Sequence, residues 1–158
     1  MPELPRAYDL SGRVAAITGG AGMLGREHAA ALIETGARVA LLDLPGSRLE
    51  EAARDLDAQP IGCDLTDDGS VRAARDGLID SLGRVDVLVN NAANDPKVGG
   101  EEGARLSRLE NFPDEQWEAD IAVGRQGPGV EDYQSLAPTP HPRPPRAVNQ
   151  RAVGGCAR

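Results

Sequence analysis

The residues of this sequence best suited to chemistry form a glycine-rich run, Thr18-Gly19-Gly20-Ala21-Gly22-Met23-Leu24-Gly25, set between a short apolar segment and a helical pattern. Gly19 permits a sharp turn, and small residues at 20–22 let a backbone approach a pyrophosphate. Gly25 lets a helix pack closely on a strand. Free N–H groups at the helix start would favour an anion. The plainer alternative is a tight turn with no ligand. Asp43, 24 residues beyond Gly19, weighs against that alternative. A carboxylate there accepts hydrogen bonds from a ribose 2′-hydroxyl and repels a 2′-phosphate, so the pair predicts a dinucleotide site preferring NAD to NADP. Read more plainly, Asp43 is a solvated acid at a strand end, and Arg48 nearby would soften the preference. His28 reads as a helix packing or surface residue and Cys63 as a small core residue. No His, Cys and Asp grouping has metal-ligand spacing, so no metal is expected.

These residues need a scaffold, and the apolar pattern supplies one. Arg13–Thr18, Val39–Asp43, Ile61–Asp64 and Val85–Val89 are short apolar runs of the kind that form buried parallel strands. Between them, Ala29, Leu32 and Ile33 repeat at helical spacing, with Gly36 as a stop. Ser47-Arg48-Leu49-Glu50 has the form of a capping box, followed by Leu49, Ala53 and Leu56 on one helix face. Val71, Ala74, Leu78 and Leu82 stripe a third helix. A last helix is expected over 113–123, with Trp117 and Ile121 paired at i, i+4. Strands alternating with helices predict βαβ units and a parallel sheet, an α/β fold.

Charge divides the chain at about residue 124. The whole sequence of 158 residues carries 17 basic and 25 acidic side chains, a net of −8. Five of the arginines but only Glu131 and Asp132 fall in 125–158, which is therefore +3, whereas 1–124 is −11. Six of the 12 prolines also lie there, including the run from Pro138 to Pro145. Proline fixes φ and removes a donor, and Val130, Leu136, Val148 and Val153 are too few to offset ordering entropy. Residues 125–158 are accordingly expected to be a disordered Pro/Arg-rich tail. The acidic balance argues against nucleic acid or an anionic membrane as partner. Two cysteines, no secretory h-region and no long apolar run predict a soluble protein of a reducing compartment, the cytoplasm.

With these residues in place, the chain resembles the short-chain dehydrogenase/reductase family over about 7–124. Four stretches carry the likeness: the Thr18–Gly25 turn, Asp43, Cys63-Asp64-Leu65-Thr66-Asp67, and Val87-Leu88-Val89-Asn90-Asn91-Ala92-Ala93. The resemblance implies a Rossmann-type doubly wound sheet, here incomplete with about four strands. It also implies that Asp64 contacts the adenine with Leu65 beside it, and that Asn90, Asn91 and Ala92 stabilise the sheet and line the cofactor. Two departures stand out. Ala93 replaces the usual Gly, and Met23 stands where compact members carry Gly. Gly22 instead fits the extended branch, although the longer Gly83–Ala93 match favours the compact one.

Catalysis in the family runs on Ser, Tyr and Lys, the last two spaced Tyr-x-x-x-Lys, with an upstream Asn. Here the tyrosines are Tyr8 and Tyr133, the one lysine is Lys97, Ala137 stands four after Tyr133, and Gly124 aligns with the Asn. No catalytic residue is therefore assigned. The expectation is an NAD-dependent oxidoreductase of small alcohols or carbonyls by family, with this chain a truncated form that binds cofactor but turns over little. The break after Gly124 suggests a frameshift, which a shifted reading frame restoring Tyr-x-x-x-Lys would bear out. The alternative is a non-catalytic dinucleotide-binding or interaction module, associating through an unprotected fourth-strand edge. A methyltransferase, which also uses a glycine turn and a strand-two acid, fits the Asn90–Ala93 run poorly.

Overall fold

The computed structural model describes residues 8–94, 113–126 and 146–149. The first strand, β1 (Val14–Thr18), is buried along its whole length. It leads into helix α1 (Met23–Glu34), then β2 (Arg38–Asp43), α2 (Ser47–Leu56), β3 (Gln59–Gly62), α3 (Asp68–Leu82) and β4 (Val87–Asn90). Helix α4 (Asp114–Gln126) and strand β5 (Arg146–Asn149) follow. The strands form one parallel sheet in the order β3-β2-β1-β4-β5. The chain thus winds outward from β1 in one direction and then crosses to the other side, which makes the C-terminal end of β1 a topological switch point.

Side-chain alternation along the strands explains the two layers. Ala15, Ile17, Val39, Leu41 and Val89 face one way and pack with Ala29 of α1 and Leu49, Ala52 and Ala53 of α2. Their neighbours Ala16, Ala40, Ile61 and Leu88 face the other way, onto Ala74 and Leu78 of α3. A strand with both faces covered must be apolar at every position, which is why β1 reads as a continuous run. Cys63 lies buried in the α3 layer, as expected of a small core residue.

The doubly wound α/β architecture agrees with the expectation, and five local details differ. Strand β3 begins two residues earlier than the Ile61–Asp64 run and includes Pro60, which an edge strand tolerates because one side of its backbone needs no donor. Strand β4 starts at Val87, not Val85. The capping box is not formed: Gly46 is the N-cap of α2, and its carbonyl accepts the Leu49 and Glu50 N–H groups at 3.1 and 3.3 Å. The fourth difference concerns the expected bare edge of β4. Val87–Asn90 pairs with Arg146–Asn149, so that edge is covered, and the expected association through it loses its basis. The proline argument against structure in 125–158 ends at Pro145. The four residues after it all carry N–H donors, and the edge of β4 offers them partners. Helix α4 also runs two residues past Gly124. The Pro138–Pro145 run, Lys97, Tyr133, Glu101-Glu102 and Cys156 lie outside the described residues.

A contact absent from the sequence reading ties the lower end of the sheet together. Asp86, just before β4, accepts the Val14 N–H at 2.9 Å and pairs with Arg13 at 2.9 Å and with Arg84. Burial pushes this carboxyl up, but the Val14 N–H and the two guanidinium groups together outweigh it and hold it below the usual carboxylate range. A depressed carboxyl contributes stability above its unfolded value of 3.8, and that stability is lost as pH falls through the folded value. Asp86→Asn is expected to cost about 2 kcal/mol at pH 7 and to flatten the loss of stability on acidification below pH 4. Urea midpoints for both chains across that range are the measurement; equal slopes in both would contradict it. Among the described residues no helix is long and apolar enough to cross a membrane.

Candidate functional site

The ends of four strands meet at one edge of the sheet. Thr18 closes β1, Asp43 closes β2, Cys63-Asp64 follows β3, and Asn91-Ala92 follows β4. Gly19 turns the chain out of β1 with φ of 64°, a left-handed value that glycine adopts without strain. A Cβ on Gly19 would stand 2.9 Å from Ala92 Cα, so the turn after β1 and the residues after β4 touch backbone to backbone.

Thr18 sits at the centre of that junction and is 3% exposed. Its Oγ1 accepts the N–H groups of Asn91 and Ala92, each at 3.1 Å, and donates to the Val89 carbonyl at 3.5 Å. Asn91 reciprocates: its Nδ2 donates to the carbonyls of Thr18 at 3.1 Å and Gly19 at 3.2 Å. These two side chains are committed to holding the turn, so their part in ligand binding is to shape it.

The remaining glycines divide between packing and approach. A Cβ on Gly20 would fall 2.8 Å from Leu41 Cβ, so the packing of β2 against it already requires a small residue there. Gly25 is tighter still, with Gly19 O at 2.2 Å from its notional Cβ, the close helix–strand packing expected of it. Gly22 caps α1, and the first intrahelical bond runs from Arg26 N–H to Gly22 O at 3.0 Å. The N–H groups of Met23, Leu24 and Gly25 therefore open on the end of the helix, where an anion is favoured. Met23 lies in ordinary helical backbone and is 78% exposed, so the absence of glycine there introduces no strain. Ala93 likewise needs no left-handed φ.

Two carboxylates flank this turn. Asp43 Oδ2 accepts the Ala21 N–H and Oδ1 the Leu44 N–H, both at 2.9 Å. Its backbone carbonyl accepts the Cys63 N–H at 2.8 Å, which places Asp64 alongside. Asp64 Oδ1 accepts the Thr66 hydroxyl at 2.7 Å and the Thr66 N–H at 2.9 Å, and these bonds hold its carboxyl below the usual range. Leu65 packs against the α3 layer. Asn90 ends β4, paired in register with Asn149. Burial pushes the Cys63 thiol up against the opposing pull of Ser70, so it stays protonated and is no nucleophile. The sheet edge thus brings together Gly19, Ala21, Asp43, Asn91 and Ala92, while Thr18 and Gly20 serve the frame.

This arrangement fits a nicotinamide dinucleotide. A helix N-terminus offers N–H groups to a pyrophosphate beside a left-handed glycine, and a carboxylate with acceptor capacity to spare stands one strand away. The family model described as short chain dehydrogenase matches residues 13–129. The chain belongs to the short-chain dehydrogenase family. That family is one of oxidoreductases that bind nicotinamide cofactors. Among curated relatives, D-threitol dehydrogenase of Mycolicibacterium smegmatis is 33% identical over 125 residues, covering 76% of this chain and 45% of the relative. Among solved structures, the NADH complex of 3-ketoacyl-(acyl-carrier-protein) reductase from Brucella melitensis has a TM-score of 0.68 at 26% identity, covering 80% of this chain and 50% of that one. The Pseudomonas aeruginosa RhlG/NADP active-site complex has a TM-score of 0.75 at 27% identity, covering 92% of this chain and 57% of that one. The short-chain dehydrogenase chain described here spans about half the length of these three relatives.

Proposed function

We propose that this chain is an NAD-binding unit of the short-chain dehydrogenase type, serving hydride transfer between the cofactor and a small alcohol or carbonyl compound. The observation that carries the reading is Asp43, an acid at the end of β2 that bonds the phosphate turn and keeps further lone pairs for a ribose diol. Its charge disfavours a 2′-phosphate, which supports NAD over NADP although relatives with either cofactor are known. Met23, Leu24 and Gly25 would present N–H groups to the pyrophosphate, and Asp64 with Leu65 would border the adenine. When bound, the dinucleotide supplies the hydride acceptor or donor. The chain's own part is to bind and orient it, through a turn held open by Thr18 and Asn91.

Proton transfer is a different matter. The 158 residues contain no Tyr-x-x-x-Lys, and general acid–base groups are worth about 10²–10⁴ in rate. The proposal is therefore cofactor binding with little or no turnover by this chain. Fluorescence titration is expected to give tighter binding of NADH than of NADPH, with no measurable consumption of either in the presence of small alcohols or ketones. Equal binding of both would remove the NAD preference; robust turnover would remove the second half of the reading. A frameshift origin for 125–158 belongs to the same proposal, although Arg146–Asn149 of that stretch joins the sheet of the dinucleotide-binding unit as β5, and so does a cytoplasmic setting. The absent proton-transfer residues equally suit a non-catalytic module; a stoichiometric protein complex that forms without turnover would favour it.

A further inference from the structure

The bond between Asp43 and Ala21 has a meaning separate from ribose recognition. Two successive amides of the phosphate turn are held by the end of β2: Gly20 N–H by the Leu42 carbonyl at 3.1 Å, and Ala21 N–H by the Asp43 carboxylate at 2.9 Å. Ala21 is buried, so its N–H has a strong need of that acceptor. We infer that Asp43 is a positioning residue for the phosphate turn, and that selectivity for the ribose and strength of pyrophosphate binding are tied to this one side chain. The ligand consequences rest on the NAD reading above; the effect on the turn does not.

An ionised carboxylate offers about four lone-pair directions, and the Ala21 and Leu44 N–H groups use one on each oxygen. The others face outward demands, such as a ribose diol. A serine at 43 removes the charge that rejects a 2′-phosphate, but its shorter side chain also withdraws the acceptor from Ala21. In this chain that exchange does not open the site to NADP. It loosens the turn on which both dinucleotides depend. Asparagine keeps one oxygen at the reach of Ala21 and sheds the charge, so it separates the two roles.

The test compares the full-length chain with Asp43→Ser and Asp43→Asn, by amide hydrogen exchange and by titration with NADH and NADPH. In Asp43→Ser, exchange at Ala21 is expected to quicken about tenfold or more while Ile17 in the core strand is unchanged, and both dinucleotides bind about tenfold more weakly or worse. In Asp43→Asn, Ala21 exchange stays close to wild type and NADPH binding improves. Unchanged Ala21 exchange in Asp43→Ser, or tighter NADPH binding by that variant than by wild type, overturns the inference. If the wild-type chain binds neither dinucleotide, the NAD reading is what fails, and the Ala21 exchange of the unliganded chains still decides the role of Asp43.

Discussion

Gly25→Ala is expected to cost about 3 kcal/mol or more, a large part of the roughly 5–15 kcal/mol that holds a domain of this size. The new Cβ would lie 2.2 Å from the Gly19 carbonyl oxygen and 2.8 Å from Gly20 Cα. Both obstacles are backbone, and Gly19 is itself fixed against Ala92, so neither can swing aside as a side-chain end would. Either α1 lifts off β1 or the turn opens; in both cases the N–H groups of the first helical turn lose their place. Loss of NADH binding should accompany the fall in urea midpoint. Gly77, inside α3 with nothing near its notional Cβ, is the internal control. Gly77→Ala should stabilise by about 0.5–1 kcal/mol, because alanine suits a helix interior better. Similar midpoints for the two variants would sink the packing account of Gly25.

Thr18→Val is the second large effect. The substitution keeps the shape of the side chain and removes the hydroxyl, leaving the Asn91 and Ala92 N–H groups without their acceptor at a buried junction. Each unsatisfied donor costs about 1–3 kcal/mol, so a loss of about 2–4 kcal/mol is expected. Thr18→Ser restores the oxygen and should recover most of that. The pair of variants separates hydrogen bonding from packing: if Thr18→Ser is as damaged as Thr18→Val, the hydroxyl is not what matters. NADH titration should follow the same order, since the turn is shaped through Asn91.

Much of this arrangement could be read without coordinates, and the reasons differ by residue. The strands were legible because both faces of a parallel sheet are covered, so β1, β2 and β4 must be apolar at consecutive positions. Gly36 was legible as a stop because left-handed backbone favours glycine, whereas the same role of Gly83 after α3 came only from the structure. What was not legible is which small residue serves which neighbour. Gly20 and Gly22 look alike in sequence, yet one is small for Leu41 and the other stands at the start of a helix. Asp86 was missed because its partners Arg13 and Val14, at the entry to β1, lie more than seventy residues away, and Arg84 two residues before it does not by itself mark the carboxylate. Strand β5 was missed because four residues carry no periodic signal of their own; its register is set by β4.

The junction at Thr18 also fixes an order of events during synthesis. Its hydroxyl is bonded to Asn91, 73 residues further along the chain. Closing so long a span is slow compared with forming α1 or α2, because the chain must find its far contact before any bond compensates the lost freedom. While the ribosome is still adding residues up to Ala92, β1 lacks its β4 neighbour and the glycine turn lacks the side chain that braces it. A dinucleotide in the surrounding solution therefore has no finished cradle to enter until that stretch has emerged. Cofactor binding can stabilise the completed sheet, but it comes too late to guide the nascent chain towards it.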